Sequence, residues 1–93
     1  MYKLAKSKMG HDRNKVYVIY REEEDFVYLT DGDLKKTDRP KKKNKKHIQP
    51  ILKLSREITD ILENTAINED ERIRKALKEY ERSVKNDKIK GNV

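Results

Sequence analysis

A mainly β plus α fold, a small antiparallel barrel over residues 1–50 followed by a helical hairpin over 51–85, is predicted by three observations on this chain of 93 residues. The first half holds short runs of β-branched and aromatic residues separated by turn formers. The second half switches to apolar residues at a period of about 3.6. Between them lies a basic run bracketed by Pro40 and Pro50. Hydrophobic residues are only 33% of the chain and charged residues 44%, a balance that disorders an unpatterned sequence, so the periodicity is what permits a core. That core is modest, since a domain of this size buries roughly 60 to 65% of its unfolded surface.

Taken in order, Leu4 to Lys8 predicts an opening strand and Met9 to Asn14 its connection onward. Val16–Tyr20 and Phe26–Thr30 read as strands, with Arg21–Asp25 as an acidic hairpin loop between them. Asp31-Gly32 suits the positive-φ positions of a tight turn, and a third strand is expected through Leu34-Lys35-Lys36. Four or five such strands suggest a small barrel. Each proline disfavours helix at the residue before it, so the basic run is expected to be extended, with His47-Ile48-Gln49-Pro50 adding a last edge strand. Exposed rings would stack on bases, but the aromatics are expected chiefly in the core, with Phe26 and at least two tyrosines inside and Tyr17 or Tyr28 the candidates for an exposed ring.

Leu54, Ile58, Ile61 and Leu62 fall on one face of a helix of about twelve residues that ends at Asn64-Thr65. Asn68 predicts the N-cap of a second helix, with Glu71 as its capping-box partner and Glu69 and Asp70 favouring the positive helix end. Ile73, Ala76, Leu77, Tyr80 and Val84 form the apolar stripe of that helix. Residues 86–93 have few anchors and are expected to be a flexible tail.

Several function classes lose support at once. Without cysteine there are no disulfides, zinc-thiolate sites or thiol catalysis, which fits a reducing compartment. No apolar stretch is long enough for a bilayer and the basic N-terminus lacks an apolar signal core, so a cytoplasmic protein without a membrane partner is expected. His11 and His47 stand alone, far apart, and imply no metal. Ser7, Ser55 and Ser83 have no partner base, no glycine loop could cradle a nucleotide, and the acids Glu22 to Asp25 suit a solvated hairpin tip. The expectation is no enzyme, no cofactor and no small-molecule substrate.

The charge is informative. The run from Lys35 to His47 carries Lys35, Lys36, Arg39, Lys41, Lys42, Lys43, Lys45 and Lys46 against one acid, Asp38, a net +7 equal to that of the whole chain. The other eighty residues therefore sum to zero. Clustered ammonium groups repel, and nothing in the sequence gives the folded protein its own reason to gather them; phosphates give one. Binding a polyanion by counterion release is expected, with a log–log salt slope near −3.5 to −4.5 if about five phosphates are engaged.

The stretch Lys6-Ser7-Lys8-Met9-Gly10-His11-Asp12-Arg13-Asn14-Lys15-Val16-Tyr17-Val18 places a glycine-bearing polar loop between two strands. At this point the chain resembles a KOW motif. It looks like the small bacterial KOW-domain RNA-binding proteins, which are similar to the archaeal and eukaryotic large-subunit ribosomal proteins carrying the same SH3-like barrel. Asp31 to Lys36, Pro40 to Pro50 and Ile73 to Leu77 extend the resemblance over most of residues 4–80. Asn14 stands where the motif usually has a second glycine, and asparagine tolerates the left-handed backbone best among the rest.

The resemblance implies that Lys8, His11, Arg13 and Lys15 contact ribosomal RNA; with the run from Lys35 to His47, read from its charge alone, they are expected to form one basic surface gripping the backbone of large-subunit ribosomal RNA, with neighbouring ribosomal proteins as further partners. His11, Arg13, His47 and a tyrosine would supply base or shape preference. An adaptor of the ribosome or transcription machinery, docking through the barrel or the second helix, and a general RNA chaperone are the alternatives.

Overall fold

The structure, a computed structural model, describes residues 2–91. Five antiparallel strands, β1 (Lys3–Ser7), β2 (Val16–Glu22), β3 (Phe26–Thr30), β4 (Lys41–Asn44) and β5 (Ile48–Ile51), precede two helices, α1 (Arg56–Glu63) and α2 (Glu69–Gly91). The spatial order is β4-β3-β2-β1-β5, so β4 and β5 lie at opposite edges of the sheet although only a 3₁₀ turn, Lys45–His47, joins them. In a flat sheet those edges would stand about 19 Å apart, at about 4.8 Å per strand. Four residues of 3₁₀ rise cover only about 8 Å. The sheet is therefore curled into a partial barrel, and two backbone bonds outside the ladders hold its ends: Lys8 N–H donates to the His47 carbonyl at 2.8 Å and Lys45 N–H to the Asp25 carbonyl at 3.0 Å.

Strand alternation divides the apolar residues between two cores. Ala5, Tyr17, Val27, Leu29 and Ile48 are buried inside the curl. Leu4, Val16 and Val18 point outward and pack under Ile58, Leu62, Ile73, Ala76 and Leu77 of the helical hairpin. Burying one such side chain completely, as at Leu4 and Ile73, contributes roughly 1.5 to 3 kcal/mol. Because Val27 and Leu29 take the inward positions of β3, Phe26 and Tyr28 face outward, and Tyr17 is the one ring the interior needs. The expectation that Phe26 and two tyrosines fill the barrel is thereby corrected.

The third strand expected at Leu34-Lys35-Lys36 is also absent. The Asp31 carboxylate accepts the N–H groups of Asp33 and Lys35 at 2.9 and 2.8 Å, Asp31 N–H donates to the Lys35 carbonyl, and Gly32 takes φ 75°. These local bonds fold the segment into a turn, leaving Leu34 79% exposed, and β4 forms later, inside the basic run. The edge strand around Ile48 is present, paired with β1.

Helix α1 is eight residues long, shorter than expected, because Ser55 Oγ accepts Ile58 N–H and caps it there. Leu54 packs on the core from outside the helix. At α2, Asn68 Oδ1 accepts Glu71 N–H at 2.9 Å, the cap the sequence predicts. That helix runs to Gly91, so the tail expected over 86–93 is partly helical, and its last two residues lie outside the described residues.

Turn and helix interlock at Gly32. A Cβ there would stand 2.1 Å from the Asp70 carbonyl oxygen and 2.9 Å from Arg74 N, while Asp70 also accepts Thr37 N–H at 2.8 Å. Gly32→Ala is accordingly expected to cost at least about 2 kcal/mol, strained backbone and overpacking acting together. Urea unfolding measures this, and a midpoint like that of the parent protein would refute the interlock.

Candidate nucleic-acid interface

In β4 the basic residues alternate like any others. Lys41 and Lys43 lie opposite Leu29 and Val27 and share their inward face, whereas Lys42 lies opposite Tyr28 and faces out. The two inward ammonium groups close one end of the barrel on a single carboxylate. Asp12, from the β1–β2 loop, accepts Lys43 Nζ at 2.7 Å and Ser7 Oγ at 2.9 Å on Oδ1, and Lys41 Nζ at 2.8 Å and the Tyr17 hydroxyl at 3.1 Å on Oδ2. The Lys43 and Asp12 side chains are each only 10% exposed. Lys43 Nζ also donates to Ser7 Oγ at 2.7 Å and the Met9 carbonyl at 2.8 Å, so all three of its hydrogens are taken.

Burial by itself would raise the Asp12 pKa, but the bonds from Lys41, Lys43, Ser7 and Tyr17 outweigh it and hold the carboxyl well below the usual range. Burial, and the Asp12 charge beside it, push the Tyr17 phenol far above its ordinary value. Asp31 is held low in a similar way: burial opposes ionisation, yet Lys15 Nζ at 2.7 Å and the Lys35 and Asp33 amides prevail. Glu22, exposed at the end of β2, is lowered by Lys45 at 3.1 Å and Lys3 at 3.5 Å.

The thirteen sequence-predicted residues thus divide. Lys41 and Lys43 are committed to Asp12, Lys15 to Asp31 and Lys45 to Glu22. Lys8, His11, Arg13, Lys35, Lys36, Arg39, Lys42 and Lys46 are exposed, His47 is half-buried, and none of these makes an ion pair among the described residues. Lys42 lies 4.3 Å from the centre of the Phe26 ring. The expectation that the fold has no internal use for the clustered lysines is corrected for three of the seven: Asp12 and Glu22 give Lys41, Lys43 and Lys45 one.

The exposed cations are brought onto connected backbone. Lys8 is hydrogen-bonded to His47, the Asp12 clamp joins the loop over residues 8–15 to β4, and Lys15 and Lys35 meet at Asp31. Within that loop Gly10 takes φ 91° and Asn14 φ 74°, the left-handed conformation expected of it. Sequence reasoning missed Asp12, Ser7 and Tyr17. One signal was available: Asp12 is the only acid among the first twenty-one residues. No protein-family model matches this chain, and no curated protein is detectably similar to it.

The clamp makes an acid-stability prediction. An unfolded aspartate titrates near 3.9, whereas native Asp12 titrates lower, so in that interval the unfolded chain binds more protons. The stabilisation is fully present above about pH 5 and is lost as pH falls through the depressed native value. Asp12→Asn is expected to be less stable at neutral pH, by about 3 kcal/mol where Lys43 is left buried without its counter-charge, and to lose less on acidification. Denaturant midpoints from pH 7 downward check both, and parallel curves for the two proteins would contradict the assignment.

Proposed function

We propose that this protein is a non-catalytic RNA-binding protein of the KOW type, its curled sheet an SH3-like barrel, that grips the sugar-phosphate backbone of structured RNA. Ribosomal RNA of the large subunit is the favoured target, with the protein acting as a ribosomal or ribosome-associated component. The observation carrying this reading is the charge left over once the internal pairs are made. Lys8, Arg13, Lys35, Lys36, Arg39, Lys42 and Lys46 stay exposed and unpaired among the described residues, on the 8–15 loop and β4 that the Asp12 clamp joins, on the β3–β4 connection tied to that loop through Asp31, and on the 3₁₀ turn after β4. Repelling cations gathered on one connected frame are stabilised by a polyanion, whose condensed counterions are released on binding.

Two features support the finer fold assignment: the passage from β4 to β5 through a 3₁₀ turn, and the positive-φ residues Gly10 and Asn14 in the loop after β1. Lys43, whose three donors go to Asp12, Ser7 and Met9, and Lys41, which gives one to Asp12, serve by positioning the loop, while exposed Lys42 and Lys46 meet phosphate. Crosslinking in cells with sequencing of attached RNA, and a sucrose gradient with and without nuclease, tests the target. Enrichment on one large-subunit RNA site supports the reading, and scattered RNA favours a chaperone.

A second reading, an adaptor of the ribosome or transcription machinery, is favoured by a largely apolar cavity of about 650 Å³ between the barrel mouth and α1, lined among others by Ile19, Val27, Ile48, Ile51, Leu54 and Leu62. A nuclease-resistant complex would select it. For RNA binding, replacing Lys42 and Lys46 by alanine is expected to weaken affinity for all structured RNAs and flatten the salt slope by about 1.5 to 2. Salt titrations of the double variant check this, and an unchanged slope would sink the phosphate-contact assignment.

A further inference from the structure

The outer surface of the curled sheet has two parts. One row, Ile51, Leu4, Val18 and Thr30, crosses β5, β1, β2 and β3 in register, and its apolar members lie in the cluster under the helices. Two residues further along β3 and past the bulge between Ile19 and Arg21, a second row, Arg21, Tyr28 and Lys42, crosses β2, β3 and β4 in register. Phe26 and Tyr20 flank it. Neither Tyr20, Phe26 nor Tyr28 belongs to the cluster under the helices, Tyr20 is 42% exposed, and Arg21 and Lys42 are exposed.

Tyr28 and Phe26, both half-buried, are each paired with a cation. The Arg21 guanidinium lies 4.1 Å from the centre of the Tyr28 ring and the Lys42 ammonium 4.3 Å from that of Phe26, while the Tyr28 hydroxyl donates to Glu23 Oε1 at 3.1 Å. Resting on the proposed RNA-binding reading, we propose that this patch is a stacking platform for unpaired nucleotides. Aromatic faces and a guanidinium plane offer stacking surface to bases of any sequence, and the flexible cations offer partners to the phosphates between them. The occupant follows from charge and continuity. Lys42 belongs both to this row and to the basic run, so a strand held along the run reaches the rings without a break. Glu23, Glu24 and Asp25, exposed at the β2–β3 turn, lie at the Phe26 end of the patch, with Glu23 on the Tyr28 hydroxyl and Asp25 bonded to Lys45, and they repel a polyanion at that end, leaving the Arg21–Tyr28–Lys42 row as its path. A duplex keeps its base faces stacked inside and can engage only the cations.

The test uses the full chain, an unstructured single-stranded RNA of about ten nucleotides and a fully paired RNA of about sixteen pairs, read by fluorescence anisotropy. Tyr28→Ala is expected to lose roughly 5- to 150-fold in affinity for the single strand with little change on the duplex, and Tyr28→Phe to retain binding. Arg21→Ala, whose exposed side chain can be removed without opening the core, is expected to weaken both RNAs, and the single strand more, because it loses a stacking plane as well as a phosphate partner. Equal losses on both RNAs for Tyr28→Ala, or none on the single strand, would overturn the platform. Failure of the parent protein to bind either RNA would instead remove the RNA-binding reading, whereas duplex binding without single-strand binding would leave that reading intact and remove only the platform.

Discussion

The arrangement of the basic surface depends on one carboxylate. Asp12 joins a loop after β1 to a strand nearly thirty residues later, and it does so from a position where water contributes little solvation. Two ammonium groups, a serine hydroxyl and a tyrosine hydroxyl replace that water. A buried ion pair gives little net stability against a well-packed apolar substitute, but breaking one side of it is costly, so the clamp specifies position more than it adds stability. The position it specifies is that of the loop over residues 8–15 against β4.

From this follows a division of labour among lysines that composition conceals. Charge counting treats Lys41, Lys42 and Lys43 as three equal contributors. Strand geometry does not, because alternate side chains leave opposite faces of the sheet. Lys41 and Lys43 turn inward to the carboxylate while Lys42 turns outward to Phe26, and the 3₁₀ turn that follows leaves Lys46 exposed and brings Lys45 to Glu22. In the proposed role the inward set determines where the outward set stands.

Elements with strong local signals were legible in the sequence: β2 and β3 from their β-branched and aromatic runs, the Asn68 cap, the turn at Asp31-Gly32 and the edge strand at Ile48. What escaped was set by distant partners. The bracketing prolines made the basic run legible as extended, but Lys41 to Asn44 have no strand propensity, and their pairing depends on the open edge that β3 offers. Leu34 looked like a strand residue, but Asp31 satisfies the backbone there locally and turns it away from the sheet. The inward roles of Lys41 and Lys43 needed the register, which the sequence did not specify, whereas the isolation of Asp12 among basic residues was visible throughout.

The curl has a consequence for the order of folding. β1 lies between β2, which follows it closely, and β5, which is more than forty residues away. The β1–β2–β3 meander closes short loops, but the seam with β5 must overcome a much larger chain entropy and gains nothing until the 3₁₀ turn has carried the chain across the open side. During synthesis β1 therefore stays a bare edge until residues 48–51 have emerged. Asp12 meets its lysines only when β4 is in place, so the clamp closes after the β1–β2–β3 meander has formed.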